Sequence, residues 1–205
     1  MPAQSPIVCI LSEEDAKSFT SWGIAHKCSS RRHHHFSKSE AEALVRAGES
    51  EGIQPLGLDA MMQLRLEKGF LHIGTDTDGT TIPDDVGWGK VAAAKAASYI
   101  GKRSLSLPEH LRSDRLQLVG LTSKGASPFI AGSHLRLRNS DRATDGWVTS
   151  VGTLLSSGQP IALAMLRAGR QHVESEVTVH DSGNTTRAEV TQTPFLDPAA
   201  EKMNA

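Results

Sequence analysis

The chain of 205 residues has few aromatic side chains and no surplus of charge of either sign. It contains three Trp, one Tyr and five Phe, and its 22 Lys and Arg residues stand against 23 Asp and Glu, for a formal net charge of -1. Binding to nucleic acid or to an anionic membrane needs a basic surface, and single-strand binding also needs aromatic rings for base stacking. The composition therefore argues against both a nucleic-acid partner and a membrane partner.

Cysteines and long apolar runs are also scarce. Cys9 and Cys28 are too few for a disulfide framework, and the longest apolar run near the N-terminus, Ile7 to Leu11, is followed by four polar residues. A transmembrane helix needs about 18 consecutive apolar residues, and a secretory signal also needs a longer run than this one. We therefore expect a cytoplasmic protein with free thiols and no membrane span.

Two helices are predicted in the first half of the chain. A capping box formed by Ser39 and Glu42 starts a short amphipathic helix that ends near Gly48. A stronger helix is predicted over Leu58 to Lys68, with Gly69 at its C-terminal cap. The Ala-rich stretch from Val91 to Ile100 fits either a strand or a helix.

From residue 115 onward, apolar side chains recur at every second position in short segments. These segments lie around residues 116–120, 135–138, 148–150, 161–166, 177–179 and 188–190. Gly, Ser and Asp separate them, which is typical of an antiparallel barrel or sandwich. The predicted fold class is α+β, with an α+β part over residues 37–110 and an all-β domain over 111–205. Residues 1–36 are unassigned, with a folded and a disordered segment as the two alternatives.

Arg65 is the candidate binding residue that helical geometry singles out. At about 100° per residue it falls among Leu58, Met61 and Leu66, on the apolar stripe of the second helix, while Glu67 faces the opposite way. A guanidinium on a buried face keeps its charge, so it must reach water, pair with an internal carboxylate or bind an anionic or polar ligand. The geometry alone leaves these alternatives open.

Two other clusters have the residue types of metal ligands without the spacing. One loop contains Asp76, Asp78, Asp84 and Asp85 but lacks the Gly and Glu positions of a calcium-binding EF-hand. Its composition predicts a solvated, turn-forming surface loop. The run His33-His34-His35 lacks zinc-ligand spacing and reads as a flexible polar segment. No metal is predicted, and no catalytic residue is assigned because nucleophile motifs are absent.

Several motifs nevertheless occur in a characteristic order along the chain. They are Gly57–Phe70, Gly74–Asp76, Gly87–Gly89, Tyr99–Lys102, Leu116–Leu121, Gly146–Ser150, Gly158–Ala164 and Pro194–Pro198. Together they resemble the folate-binding aminomethyltransferase family, which includes the glycine cleavage T-protein and the C-terminal part of the sarcosine oxidase alpha subunit. The resemblance covers about residues 37 to 200, and the form of the Asp76–Gly89 loop is most similar to the sarcosine oxidase branch.

The resemblance implies a fold, a cofactor and partners. The fold would be a remnant of an α+β folate-binding domain followed by a C-terminal antiparallel β-barrel. The chain would bind tetrahydrofolate. It would transfer to this cofactor the one-carbon unit that is released when the flavin site of a partner oxidase subunit oxidises an N-methyl amine. Arg65 matches the family arginine that contacts folate, so the resemblance favours the ligand alternative for this side chain.

The chain departs from the family pattern upstream of these motifs. In the family, an aspartate near the reactive folate nitrogens lies in a half of the fold that this chain is too short to contain. The family also has a glutamate that holds the pterin, and the segment of this chain that is most similar to its motif has Trp22 at that position. We therefore expect a C-terminal part of the family fold that is not competent as an enzyme alone. The alternative is a non-catalytic interaction domain that docks onto oxidase subunits. Ser98 stands where the iron-sulfur assembly branch has a cysteine, which disfavours that branch.

Overall fold

The computed structural model describes residues 8–9, 38–52, 54–125, 127–138, 140–199 and 201. The chain divides into two compact units, Met1–Leu64 together with Ala205, and Arg65–Asn204. Apart from residues 8 and 9, the unassigned segment 1–36 and its histidine run lie outside the described residues. The domain boundary placed near residue 111 stays a prediction.

The first unit holds a small sheet and one complete helix. Strand β1 (Val8–Cys9) pairs in parallel with strand β2 (Gln54–Pro55), and helix α1 covers Lys38–Gly48. The predicted capping-box helix is therefore present, but it begins one residue before Ser39. Helix α2 (Leu58–Glu67) begins in this unit, and its last three residues belong to the second unit.

Helix α2 ends in a Schellman motif at the glycine that the sequence predicts. Gly69 has a φ of 67°, its amide donates to the carbonyl of Leu66 at 2.9 Å, and the amide of Phe70 donates to the carbonyl of Arg65 at 2.8 Å. A Cβ on Gly69 would lie 2.9 Å from the Cβ of Thr193. The C-terminal cap therefore needs glycine for its backbone conformation and for the close approach of residue 193.

Replacing this glycine is expected to destabilise the protein moderately. The left-handed backbone costs an L-residue about 1–2 kcal/mol, and the contact with Thr193 adds to this cost in Gly69→Ala. Gly74→Ala is the matched control, because Gly74 has a φ of 87° but nothing within 4 Å of the position of a Cβ. Urea unfolding should show a larger loss of stability for Gly69→Ala than for Gly74→Ala, and equal losses would contradict a role for the contact.

The chain between α2 and the first barrel strand consists of turns and short helices. Helix α3 covers Gly89–Ala94, and a 3-10 turn follows at Ser104–Ser106. The ambiguous Ala-rich stretch is therefore helical as far as Ala94. No helix in the described ranges is long and apolar enough to cross a membrane.

Six antiparallel strands of the second unit form a closed barrel in the order β3-β6-β5-β4-β7-β8. The strands are β3 (Leu116–Ser123), β4 (His134–Leu137), β5 (Gly146–Thr153), β6 (Pro160–Arg167), β7 (Glu176–Asp181) and β8 (Asn184–Thr191). A two-residue turn joins β7 to β8, with a positive φ at both Ser182 and Gly183, as hairpin turns of this length require. The barrel confirms the predicted α+β class with a C-terminal antiparallel β-barrel.

The barrel wall carries apolar side chains on both of its faces. The interior core contains Val119, Leu121, Phe129, Leu135, Val148, Ala162, Ala164, Leu166, Val177, Val179, Ala188 and Val190. A second cluster contains Leu66, Ile161 and Leu163, with Leu118, Leu154 and Phe195 packed against it. Because side chains alternate along a strand, β6 contributes Ala162, Ala164 and Leu166 to the interior and Ile161 and Leu163 to the exterior. The end of α2 is thus fixed to the outside of the barrel through Leu66.

Glu67 lies beside Leu66 at this junction and is only 2% exposed. Its Oε1 accepts a hydrogen bond from the amide of Leu155 at 2.6 Å, and its carbonyl accepts one from the amide of Phe195 at 2.9 Å. Helix periodicity placed Glu67 away from the apolar stripe, and it also placed Leu58 on the stripe, where the structure leaves it 50% exposed. Glu67 is buried because the last turn of α2 packs against residues far away in the sequence, which the helical wheel cannot show.

Candidate functional site

A buried carboxylate, Asp76, is the centre of the most extensive polar network around the end of α2. It is 0% exposed, and each of its oxygens accepts two hydrogen bonds. Oδ2 accepts from Nη1 of Arg65 at 2.6 Å and from the amide of His72 at 2.8 Å. Oδ1 accepts from the hydroxyl of Thr149 at 2.5 Å and from that of Ser150 at 2.6 Å. A fully bonded carboxylate of this kind joins the loop, the helix and the barrel.

A β-bulge in β5 brings the two hydroxyls to the same carboxylate oxygen. Consecutive side chains of a regular strand point to opposite faces, so Thr149 and Ser150 would ordinarily diverge. The register of β5 against β6 shifts between Val148 and Ser150, which is the local disruption that lets a strand direct two adjacent side chains to one side. The bulge therefore builds part of the network.

Arg65 is held by protein acceptors, and its side chain is 13% exposed. Besides its bond to Asp76, Nη1 donates to the carbonyl of Phe70 at 3.2 Å, and Nη2 donates to Oγ of Ser150 at 2.7 Å. Its Nε is buried and has no hydrogen-bond partner among the residues that the structure describes. Of the alternatives that the sequence left open, the internal carboxylate is present. The contact of Arg65 with folate stays a prediction.

A second ion pair fastens the other end of the same loop. Arg115 donates from Nε to Oδ1 of Asp85 at 2.9 Å and from Nη2 to Oδ2 at 2.6 Å, and Asp85 is 2% exposed. The hydrogen bonds to this carboxylate raise the pKa of Arg115. The fork geometry matches the carboxylate, so this pair fixes the loop to the start of β3.

The acid-rich loop was predicted to be solvated, and the structure corrects this for two of its four acids. Asp76 and Asp85 are buried, whereas Asp78 and Asp84 are exposed. Hydrogen bonds from the hydroxyl and amide of Thr80 lower the pKa of Asp78. No group of three or more possible metal ligands occurs within the described part of the chain. The two buried carboxylates instead have arginine partners.

A cavity of about 530 Å³ lies in the second unit, between this loop, the segment before β3 and the outer side of the barrel. It is lined by Gly74, Thr75, Asp76, Thr77, Asp78, Thr80, Thr81, Asp85, Glu109, Arg112, Asp114, Arg115, Leu116, Arg142, Trp147, Met165 and Arg167. Arg65 is not among these residues, but its partner Asp76 is. Asp76 therefore connects the predicted binding residue with the wall of the cavity.

Charged pairs line one side of this cavity. Arg112 donates to both oxygens of Asp114, at 2.9 and 2.8 Å, and to Glu109 at 3.1 Å. These contacts raise the pKa of Arg112 and lower that of Asp114. Arg167 also donates to the carbonyl of Asp114 at 2.9 Å. The cavity is thus strongly polar on this side, and Trp147 and Met165 supply less polar surface elsewhere in its wall.

Comparison with known proteins gives two family matches in consecutive parts of the chain. Residues 32–96 match the family described as "GCVT N-terminal domain". Residues 117–197 match the "Glycine cleavage T-protein C-terminal barrel domain", and this range contains all but the first residue of the six-stranded barrel. The two matches follow the same order as the motifs of the sequence.

Similar proteins include sarcosine oxidase subunit alpha of Rhizobium meliloti (strain 1021), 33% identical over 82% of this chain and 18% of the relative. Aminomethyltransferase of Halothermothrix orenii is 32% identical over 76% of this chain and 42% of the relative. A crystal structure of glycine cleavage system aminomethyltransferase T from Bartonella henselae matches with a TM-score of 0.65 and 25% identity, covering 79% of this chain and 45% of that one. The chain therefore spans less than half the length of these relatives.

The closed antiparallel barrel, together with the two consecutive family matches, identifies a chain of the aminomethyltransferase type. The chain belongs to the glycine cleavage T-protein family of aminomethyltransferases, which also takes in the sarcosine oxidase alpha subunits. Membership implies folate-dependent one-carbon transfer as the general chemistry of the family.

Sequence reasoning missed Asp76, Thr149 and Ser150 as parts of the site. Asp76 was interpreted as one acid of a solvated loop, and the family motifs that contain it and the two hydroxyls carried no assigned role for them. The two hydroxyls lie 73 and 74 residues away from it. The available signal was the adjacent pair of hydroxyl residues inside an otherwise apolar strand. A pair of this kind in a buried strand needs polar partners, but it does not reveal which ones.

Proposed function

We propose that this chain binds tetrahydrofolate and helps to transfer a one-carbon unit to it, in an assembly with flavin-containing oxidase subunits that demethylate an N-methyl amine. The observation that carries the proposal is the position of Asp76, which both lines the cavity and fixes Arg65. Family membership supports the folate chemistry, and the similarity to sarcosine oxidase alpha subunits supports the oxidase assembly. The cysteine content leads us to propose the cytoplasm as its compartment.

The residues of the cavity fit a folate in size and chemistry. A cavity of about 530 Å³ is within the range of small-molecule sites, roughly 300–1,000 Å³. Tetrahydrofolate has a heterocycle, a benzoyl ring and a glutamate with two carboxylates, and arginine is the side chain best suited to hold carboxylates. When bound, the folate supplies the nitrogens that accept the one-carbon unit.

The part that this chain's residues play in the proposal is to bind and position the cofactor. With two hydrogen bonds on each oxygen, Asp76 fixes the wall of the cavity, and Arg65 and the hydroxyls of Thr149 and Ser150 keep Asp76 in place. We assign no proton transfer to any of these residues, because a general acid or base needs a free position within hydrogen-bond reach of the reacting atom.

Tetrahydrofolate is expected to raise the thermal midpoint of the purified chain. At 100 times its dissociation constant, a ligand that binds only the folded state adds about 2.7 kcal/mol to the free energy of unfolding. Arg65→Lys keeps a charge beside Asp76 but loses the guanidinium fork, so binding about ten-fold weaker should reduce this gain to about 1.4 kcal/mol.

Arg187→Lys is the control for this experiment, because the Arg187 side chain on β8 is 76% exposed. Its midpoint should rise as much as that of the unchanged chain. If saturating tetrahydrofolate leaves the midpoint of the folded, unchanged chain where it was, the proposal is wrong.

Exposed apolar side chains favour docking onto a partner as a second candidate function. Phe70, Ile73 and Leu155 are 52%, 73% and 66% exposed. Phe70 accepts a hydrogen bond from Arg65 and Leu155 donates one to Glu67, so both lie next to the end of α2. Capture of a purified flavin-containing oxidase subunit, with no effect of tetrahydrofolate on capture or stability, would favour docking alone.

A further inference from the structure

Two histidines lie side by side on the outer face of the barrel. His134 on β4 is paired in register with His180 on β7, and both side chains are exposed. Their strand neighbours Leu135 and Val179 are also paired and belong to the interior core, so the alternation of side chains directs both imidazoles outward. Side chains paired in this way have Cβ atoms about 4.5–5.5 Å apart. The two rings are therefore close enough to bind one ion between them.

A hydrogen bond fixes one of these rings. Nδ1 of His180 lies 3.2 Å from the hydroxyl oxygen of Thr185, which is paired in register with His180 on β8. Histidines that bind a metal commonly donate one ring N–H to a neighbouring acceptor, which fixes the orientation of the ring and leaves the other nitrogen as the ligand. When Nδ1 donates to Thr185, Nε2 of His180 is the nitrogen that remains for a metal ion. Thr185 therefore orients a ligand as well as packing beside it.

The donor set of this pair selects the kind of ion. Imidazole nitrogen suits Zn²⁺, Ni²⁺ and Cu²⁺, whereas Mg²⁺ and Ca²⁺ need oxygen ligands. Within the described ranges, no carboxylate is paired in register with His134 or His180. Arg136 lies two residues after His134, but its guanidinium donates to the carbonyl of Ser140 at 3.5 Å, toward the connection between β4 and β5. The pair therefore favours a transition-metal ion over a hard cation.

We propose that His134 and His180 bind one divalent transition-metal ion at the surface of the barrel, with Thr185 as the residue that orients His180. The ion bridges β4 and β7 and keeps its remaining coordination positions for water. None of these three residues lines the cavity beside Asp76, so the inference does not depend on the proposed function.

The first test is calorimetric titration of the full chain with Zn²⁺, with the histidines of the run 33–35 replaced by alanine so that they do not contribute. We expect His134→Ala and His180→Ala each to weaken Zn²⁺ binding by about 100-fold, since a ligand matters more than its hydrogen-bond partner, whose loss costs about 10–100-fold. His172→Ala is the control, because this residue lies in the turn Gly169–His172 and not in a strand. Mg²⁺ should not bind.

The orienting role of Thr185 has its own pair of variants. Thr185→Val keeps the branched shape but loses the hydroxyl, so Zn²⁺ binding should weaken by about ten-fold. Thr185→Ser keeps the hydroxyl and should bind Zn²⁺ as the unchanged residue does. Equal affinities for Zn²⁺ in the two variants would show that Thr185 does not orient His180.

Trp147 provides a local readout of the same site. It is paired in register with His134 on β5 and is 37% exposed. Bound Cu²⁺ quenches the fluorescence of a nearby indole, so Cu²⁺ should quench Trp147 in the unchanged chain and not in His134→Ala. Equal quenching in both chains overturns the site. So does a Zn²⁺ affinity that neither His134→Ala nor His180→Ala changes, or one that His172→Ala lowers as much.

Discussion

Asp76→Ala is expected to lower the free energy of unfolding by about 3–5 kcal/mol, the usual cost of removing one partner of a buried ion pair. The substitution leaves Arg65, whose side chain is 13% exposed, without its carboxylate. It also removes the acceptor of the Thr149 and Ser150 hydroxyls and of the His72 amide. Within the described ranges no other acidic side chain bonds these groups, so the loss cannot be redistributed within the network.

Urea unfolding of Asp76→Ala beside Asp78→Ala would measure this effect. Asp78 belongs to the same loop but is exposed, and its carboxylate accepts hydrogen bonds from Thr80 and Thr81, which are nearby in the sequence. Its replacement should cost about 1 kcal/mol. Similar urea midpoints for the two variants would show that the buried network contributes little to stability.

Gly146→Ala should destabilise the barrel by about 3 kcal/mol, at the upper end of the usual cost of overpacking. A Cβ at this position would lie 2.0 Å from the carbonyl oxygen of Met165 and 3.0 Å from the Cα of Leu166. Gly146 pairs with Leu135 on one side and with Leu166 on the other. The obstacle is therefore backbone held in a barrel, which cannot rotate away as a side chain could.

Thermal and urea unfolding of Gly146→Ala should be compared with Gly79→Ala. Gly79 lies in the loop after α2, has no positive φ and has nothing within 4 Å of the position of a Cβ. We expect Gly79→Ala to unfold close to the unchanged chain. If Gly146→Ala is as stable as this control, then β5 and β6 can move apart far enough to accommodate the added Cβ, and the prediction is wrong.

The barrel was predictable because its strands carry a local pattern. The alternation of Leu135 and Leu137 with Arg136 marks a strand with one buried and one solvated face, and β4 lies at that place. Segment 161–166 was grouped with the alternating segments, but it is a continuous apolar run, because both faces of β6 are covered. The order of the strands around the barrel depends on pairings distant in the sequence, for which no single segment carries a signal.

The site was predictable only at Arg65, where a charge interrupts an apolar helical stripe. The burial of Asp76 and Asp85 depends on Arg65, Arg115 and the β5 bulge, which are brought to the loop by the fold. An acid in a turn-rich segment is ordinarily solvated, so the local sequence predicts exposure for two side chains that the structure buries. The cavity combines residues from the loop, the segment before β3, the β4–β5 connection and three strands, and such a combination has no spacing to detect.

Strand β6 makes the barrel interior and the cavity mechanically dependent on each other. Ala162 and Ala164 fill the inside of the same strand whose outer side carries Leu163 and Met165, and Met165 lines the cavity. A larger side chain inside would displace that strand in a close-packed wall and so move the floor of the cavity. Substitutions on the two sides of β6 will therefore not have additive effects. Residues of the barrel interior thus limit the shape of the cavity without lining it.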